Sequence, residues 1–258
     1  MRCNWILAVL LCLPLGVMAQ NAPPSGTIIP ISLDTSLNAA KIHPGQKIRA
    51  TVMQNIPGTA IHRRDRVEGQ VVKVGAMKNG QAKEEIRFDA VNIHGQMVPI
   101  RTDLRALASF MSVADAEDPE DMSSRGLTPE TWTTQQIGGD QVYRGGGPVA
   151  DGMTTVGQVT PWGTLDLPQT QPGLPCRGVI GENSRPQAMW LFSSDACGVY
   201  GFINIRIDHA GRSNPAGTIV LSSTNGKLNL GSGTALLLRV SSPSAMPASG
   251  SEAELVHQ

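Results

Sequence analysis

The chain has 258 residues, with 21 Lys and Arg against 21 Asp and Glu, and charged residues make up only 16%. That balance lacks the positive field of a nucleic-acid binder. The 28 glycines and 18 prolines argue against long solvated helices and for short strands and turns, while the length suffices for one large core or two modest ones.

Residues 1–19 read as a secretory signal peptide. Arg2 supplies the positive n-region, an apolar run follows from Trp5 to Val17, and Val17-Met18-Ala19 places small or modest residues before a cut at Gln20. The alternative is an uncleaved anchor, but the run is shorter than the roughly 20 residues a bilayer span needs. No later segment is long enough, so no transmembrane span is expected in the mature chain. The implied localisation is export, to the periplasm or outside the cell.

Residues 20–26 form a flexible lead-in. From Thr27 the pattern is β-like: Ile29, Ile31 and Leu33 alternate with Pro30, Ser32 and Asp34. Pro44-Gly45 marks a turn, and Ile48, Ala50 and Val52 then share a face. Two later strands slip phase midway, from Val67, Gly69 and Val71 to Val72 and Val74, and from Ile86, Phe88 and Ala90 to Val91 and Ile93. Such slips mark β-bulges, which coil a strand and favour a curled sheet or barrel. Asn79-Gly80 and His94-Gly95 fit tight hairpin turns.

The period then changes. Leu104, Leu107, Ala108 and Met111 fall at helical spacing, with Thr102 or Asp103 as N-cap, which predicts one short helix at about 103–113. Residues 114–131 read as an acidic linker. Its cluster of Asp115, Glu117, Asp118, Glu120 and Asp121 lacks the alternation, glycine and terminal acid of a calcium loop. Residues 132–213 form an aromatic, Gly-rich lobe. Every aromatic residue after residue 19 except Phe88 lies between Phe110 and Phe202. Residues 214–240 carry late strands able to complete the first sheet, and 241–258 read as a disordered tail.

Two cysteines leave with the signal, and the remaining pair, Cys176 and Cys197, most simply forms one disulfide in an oxidising compartment. It closes a loop of about 20 residues and contributes roughly 3 kcal/mol. The competing reading makes Cys197 a nucleophile served by His209, with Asp195 nearby, in a hydrolase site within 182–209. Glu182 and Asp208 are further acids of that region. Catalytic signatures are otherwise scarce: there is no Gly-x-Ser-x-Gly elbow or His-Glu-x-x-His, and the five histidines show no zinc spacing. Arg144 with Gly145-Gly146-Gly147 lacks the Lys-Ser or Lys-Thr of a phosphate loop. No catalytic residue, metal or cofactor is assigned. Trp132, Tyr143, Trp162, Trp190 and Tyr200 are the candidate binding residues, as a sugar-stacking surface. The alternative use of those rings is the core of the lobe.

The stretch Gly26-Thr27-Ile28-Ile29-Pro30-Ile31-Ser32-Leu33, the Pro44-Gly45-Gln46 turn, Arg49-Ala50-Thr51-Val52 and Arg66-Val67-Glu68-Gly69-Gln70-Val71 resemble a known module. It is the β-barrel of the TrbI-like periplasmic scaffold subunits of type IV secretion and conjugation systems. The resemblance covers roughly 75 residues. Ile61-His62-Arg63-Arg64-Asp65 stands where that family has an Ile-Pro-x-Gly-Ser turn, and the family's membrane helix and proline-rich stalk are absent. The arrangement is also similar to uncharacterised exported bacterial proteins that join this barrel to a variable lobe.

These readings predict a mainly β protein: a barrel-like curled sheet with one short helix, spanning 27–113, and a loop-rich, disulfide-stapled β lobe. The expected function is that of an exported, non-catalytic cell-envelope protein acting as a binding or assembly module, with an envelope protein or cell-wall glycan as partner and no nucleic acid. A carbohydrate- or peptidoglycan-binding module and a hydrolase are the alternatives.

Overall fold

The structure is a computed structural model and describes residues 22–56, 58–76, 80–117, 133–138, 141–143, 148–151, 154–160, 163–165, 191–192 and 196–241. The signal peptide, the 241–258 tail beyond Ser241, and most of the 114–131 linker lie outside these residues. The strands before the helix are β1 (Ile28–Leu33), β2 (Leu37–Asn38), β3 (Lys47–Val52), β4 (Arg66–Ala76), β5 (Ala82–Ile93), β6 (Gln96–Pro99) and β7 (Thr102–Ala108). The helix α1 (Phe110–Glu117) precedes β8 (Thr133–Gln135), β9 (Gln141–Tyr143), β10 (Pro148–Asp151), β11 (Thr154–Thr160) and β12 (Gly163–Leu165). The chain finishes with β13 (Gly198–Tyr200), β14 (Ile205–His209), β15 (Ile219–Ser223), β16 (Asn229–Leu230) and β17 (Ala235–Val240). The protein is mainly β, with one helix among the described residues.

The principal sheet has ten strands in the order β13-β7-β17-β1-β3-β4-β5-β15-β14, with β6 on β5. Its ladder is open, so no closed barrel forms. The two ends are nevertheless consecutive in the chain, joined through residues 201–204, and Leu104 N–H donates to Ala210 C=O at 2.8 Å. The sheet therefore curls enough to bring the residue after β14 against β7. Late strands lie inside it: β17 sits between β1 and β7, and β15 between β5 and β14. A five-stranded meander of β8 to β12 and a two-stranded β2–β16 pair complete the architecture.

The curl follows from bulges in the longest pair. On β4 the register skips Val72, and on β5 it skips Asp89. Each extra residue bends and coils its strand, and each coincides with a phase slip in the apolar pattern. At the other end of β5, His94 and Gly95 both take positive φ, 52° and 83°, and form the two-residue turn to β6. The lead-in carries hydrogen bonds of its own, with Gly26 N–H donating to Val240 C=O at 2.8 Å.

The helix predicted at 103–113 is displaced. Residues 102–108 form β7, and the helix begins at Phe110. All seven residues of β7 are buried, so no exposed face reveals a period of two. Arg105 is also skipped in the register with β17, where Leu238 pairs with Leu104 and Leu237 with Ala106. That bulge puts Leu104 and Leu107, three residues apart, into the same interior cluster. Three-residue spacing on one face is what a helix would show. The true helix is capped by Ser109, whose Oγ accepts from Ser112 N–H at 3.2 Å. It runs into the segment expected as linker.

Two cores result. The interior cluster joins Ile29, Ile31, Leu33, Ile48, Phe88, Leu236 and Leu238. A second cluster lies outside the sheet, where α1 and residues 137, 191, 192 and 196 cover Ile28, Ala106, Ala108 and Leu237. A polar tie closes one end: Asp103 on β7 accepts from Arg239 Nε and Nη2 on β17 at 3.0 and 2.9 Å, and from Ser241 Oγ at 3.2 Å.

Candidate functional site

The parallel pairing of β13 with β7 brings three distant segments together. Gly198, Val199 and Tyr200 lie beside Ala106, Leu107 and Ala108, and Ser109 N–H donates to Tyr200 C=O at 3.0 Å. The cap of α1 is thus fastened to the end of β13. Residues 136–138 reach the same place, because Ile137 N–H donates to Leu191 C=O at 2.8 Å and Ile137 bridges Phe192. Between them lies a cleft of about 270 Å³ lined by Ser112, Asp115, Gln136, Gly138, Tyr200 and Gly201.

Local bonds and close packing hold the cleft walls. Tyr200 OH donates to Cys197 C=O at 2.7 Å and accepts from Cys197 N–H at 3.0 Å, which folds the phenol back over its own strand. Its ring packs on the second core. Gly201 has φ of 71° and lies so close to Ser109 and Ser112 that a Cβ there would clash with both hydroxyl oxygens. Hydroxyl, carboxylate, amide and phenol groups therefore line the cleft beside an aromatic ring.

Of the five candidate binding residues, the structure places Tyr200 on the cleft. Tyr143 belongs to the backbone of β9, and Trp132, Trp162 and Trp190 lie outside the described residues. No assembled aromatic surface follows from the described geometry. Cys176 is also outside them, as are Glu182 and Asp195. Cys197 lies immediately before β13, where its backbone holds Tyr200.

His209, the base in the thiol hydrolase reading, makes local bonds. His209 Nδ1 lies 2.8 Å from Thr218 C=O, and Nε2 lies 2.9 Å from Ser213 Oγ. Gly211 N–H also lies 3.1 Å from Nδ1, so the loop after β14 folds around the ring. Asp208 accepts from Ser222 Oγ at 2.7 Å. Among the described residues, no group of three or more His, Cys, Asp and Glu could hold a metal ion. No helix among them is long and apolar enough to cross a membrane.

One buried acid escaped the sequence reading. Glu84 on β5 is fully buried opposite Val74 of β4 and Leu221 of β15, and neither carboxyl oxygen has a hydrogen-bond partner among the described residues. Burial raises its pKa from 4.5 to about 8, so at neutral pH it is held as a neutral acid. Lys83 and Glu85 fall on the opposite face by strand alternation. The signal lay in the sequence: Glu84 is in phase with Ala82, Ile86 and Phe88, inside the apolar series.

Comparison with protein-family models, curated proteins and solved structures gives no match to this chain.

Proposed function

We propose that this chain is an exported, non-catalytic cell-envelope protein that serves as a binding or assembly module, with the cleft between α1 and β13 as its ligand seat. The observation that carries this reading is the convergence of the Ser109-capped helix, residues 136–138 and the clamped Tyr200 around one polar cleft. Preformed walls reduce the ordering needed on binding. The signal-like residues 1–19 support export to the periplasm or beyond.

The curled sheet is read as a TrbI-like barrel. In support, the segments that carry the resemblance, β1, β3 and β4, are successive antiparallel neighbours. A Cys176–Cys197 disulfide belongs to the same reading. It would fasten the lobe immediately before the strand that walls the cleft, which gives the lobe a role in shaping the ligand seat. The carbohydrate reading keeps one specific observation in its favour, the aromatic Tyr200 beside hydroxyl and carboxylate groups.

The test is a photo-crosslinking residue at Ser112 in the tagged chain, activated in intact envelopes. Recovery of a discrete adduct with an envelope protein supports the assembly reading. An adduct that collapses on digestion with a muramidase supports the glycan reading. If the exported chain gives no adduct from Ser112 beyond that from exposed Lys47, the cleft is not a ligand seat.

A further inference from the structure

We propose that the cavity between the lead-in and the β3–β4 loop binds a free single-chain anionic amphiphile. Its apolar chain enters the cavity, and its acidic head meets a rim of His62, Arg63, Arg64 and His94. β1 and β7 run in the same direction, each antiparallel to β17. This cavity, at the start of β1, is therefore at the other end of the sheet from the cleft beside α1, and either site can fail without the other.

The cavity has a volume of about 430 Å³. Its walls are Pro23 and Pro24 of the lead-in, Gly58, Thr59 and Ala60 of the β3–β4 loop, and Ile93 at the end of β5. The Thr59 hydroxyl is spent within its own turn, donating to Ile56 C=O at 2.9 Å and accepting from Ile61 N–H at 3.1 Å. The side chains offered to a ligand are therefore apolar. They adjoin the interior core, which contains Ile93 and packs against Ala60. A concave apolar site of this size suits one hydrocarbon chain.

The rim is cationic and open to solvent. Ala60 and Ile93 lead within two residues to His62 and His94, whose ring centroids lie 5.8 Å apart. Both histidines are exposed, and among the described residues neither ring has a hydrogen-bond partner. Arg63 and Arg64 follow, both exposed. Arg63 N–H donates to Asn55 Oδ1 at 2.9 Å, which ties the arginines to the loop that walls the cavity. Arg64 has φ of 75°, a conformation that favours glycine, and such strain is characteristic of binding residues. The adjacent acid, Asp65, is occupied in accepting from His62 backbone N–H at 2.7 Å. Residues 22–26, 53–64 and 91–100 contain no Asp or Glu. Guanidinium groups present paired donors to a carboxylate or phosphate, and an imidazole N–H adds another. An apolar wall beneath a positive rim is the complement of an amphiphilic anion.

Isothermal titration calorimetry of the mature chain with hexanoate, octanoate and decanoate, each below its micelle-forming concentration, tests the site. Affinity should rise about fourfold for each added methylene. Arg63→Gln/Arg64→Gln should weaken decanoate binding at least about tenfold and keep the gain per methylene. Replacing exposed Ala22 at the cavity wall, as Ala22→Trp, should shrink that gain. Decyltrimethylammonium, the same chain with a cationic head, should bind at least about tenfold more weakly than decanoate. Should the variants not fold, the chain-length series and the reversed head group decide in wild type. Equal affinity for the two head groups, no gain with chain length, or a folded double variant that matches wild type overturns the proposal. Silence toward decanoate, with co-sedimentation on phosphatidylglycerol vesicles that the double variant loses, overturns it in favour of a membrane surface.

Discussion

Replacing Glu84 by Gln removes an ionisable group from the interior while keeping its shape, and the expected gain grows with pH. In the folded chain the carboxyl keeps its proton until about pH 8, whereas its ordinary value is 4.5. Between these values the unfolded chain binds fewer protons than the folded one, so stability falls as pH rises. Each unit corresponds to 1.36 kcal/mol, which gives a loss of about 3 kcal/mol by pH 7 and about 5 kcal/mol above pH 8. Glu84→Gln escapes this loss, but its buried amide is as unpartnered as the neutral acid. The two proteins should therefore match near pH 4.5 and diverge by about 3 kcal/mol at pH 7, with the variant more stable. Urea unfolding followed by far-ultraviolet circular dichroism, repeated from about pH 5 to about pH 9, measures the difference directly. Parallel stability curves for the two proteins, or a wild type that gains on Glu84→Gln as pH rises through this window, would refute the reasoning.

Asp103→Asn leaves two buried guanidinia without their carboxylate and should destabilise the fold by about 3–5 kcal/mol, seen as a lowered urea midpoint; a change within about 0.5 kcal/mol would remove Asp103 from any structural role. Gly201→Ala forces a side chain into positive φ against Ser109 and Ser112, with an expected loss of about 1–3 kcal/mol and closure of part of the cleft. Crosslinking from Ser112 should fall in that variant even where it remains folded. Cys197→Ser should lower stability by about 3 kcal/mol in the oxidised, exported chain and by much less under reductant. Peptide mapping that finds Cys176 and Cys197 as unlinked thiols in the exported protein would defeat that prediction.

Local patterning carried the β class and the bulges, since an extra residue in a half-buried strand leaves a visible slip in apolar phase, as at Val72 and near Asp89. It failed at β7 for the same physical reason. A bulge at Arg105 within a strand buried on both faces put Leu104 and Leu107 on one side and imitated a helix. Glu84 shares the phase of Ala82, Ile86 and Phe88, but its charge argues for solvent, and a neutral buried acid breaks that rule. The cleft could not be read locally at all. Its walls come from residues 112–116, 136–138 and 200–201, united by a parallel β13–β7 pairing that leaves no short-range signature. Tyr200 was named for its ring, but the bond from its hydroxyl to Cys197 depends on a turn whose geometry no spacing specifies.

The pairing of β1 with β17 governs how the domain bears load. Ile28 lies opposite Arg239, and Gly26 N–H meets Val240 C=O, so the flanking chain segments leave from the same end of an antiparallel pair. Ladder bonds run perpendicular to their strands. Tension between the two flanks therefore peels these bonds apart in succession, beginning at Gly26, instead of straining them all at once. A domain held in this way yields first along one seam under modest force, and Ile29, Ile31, Leu236 and Leu238 are the interior residues that this seam uncovers.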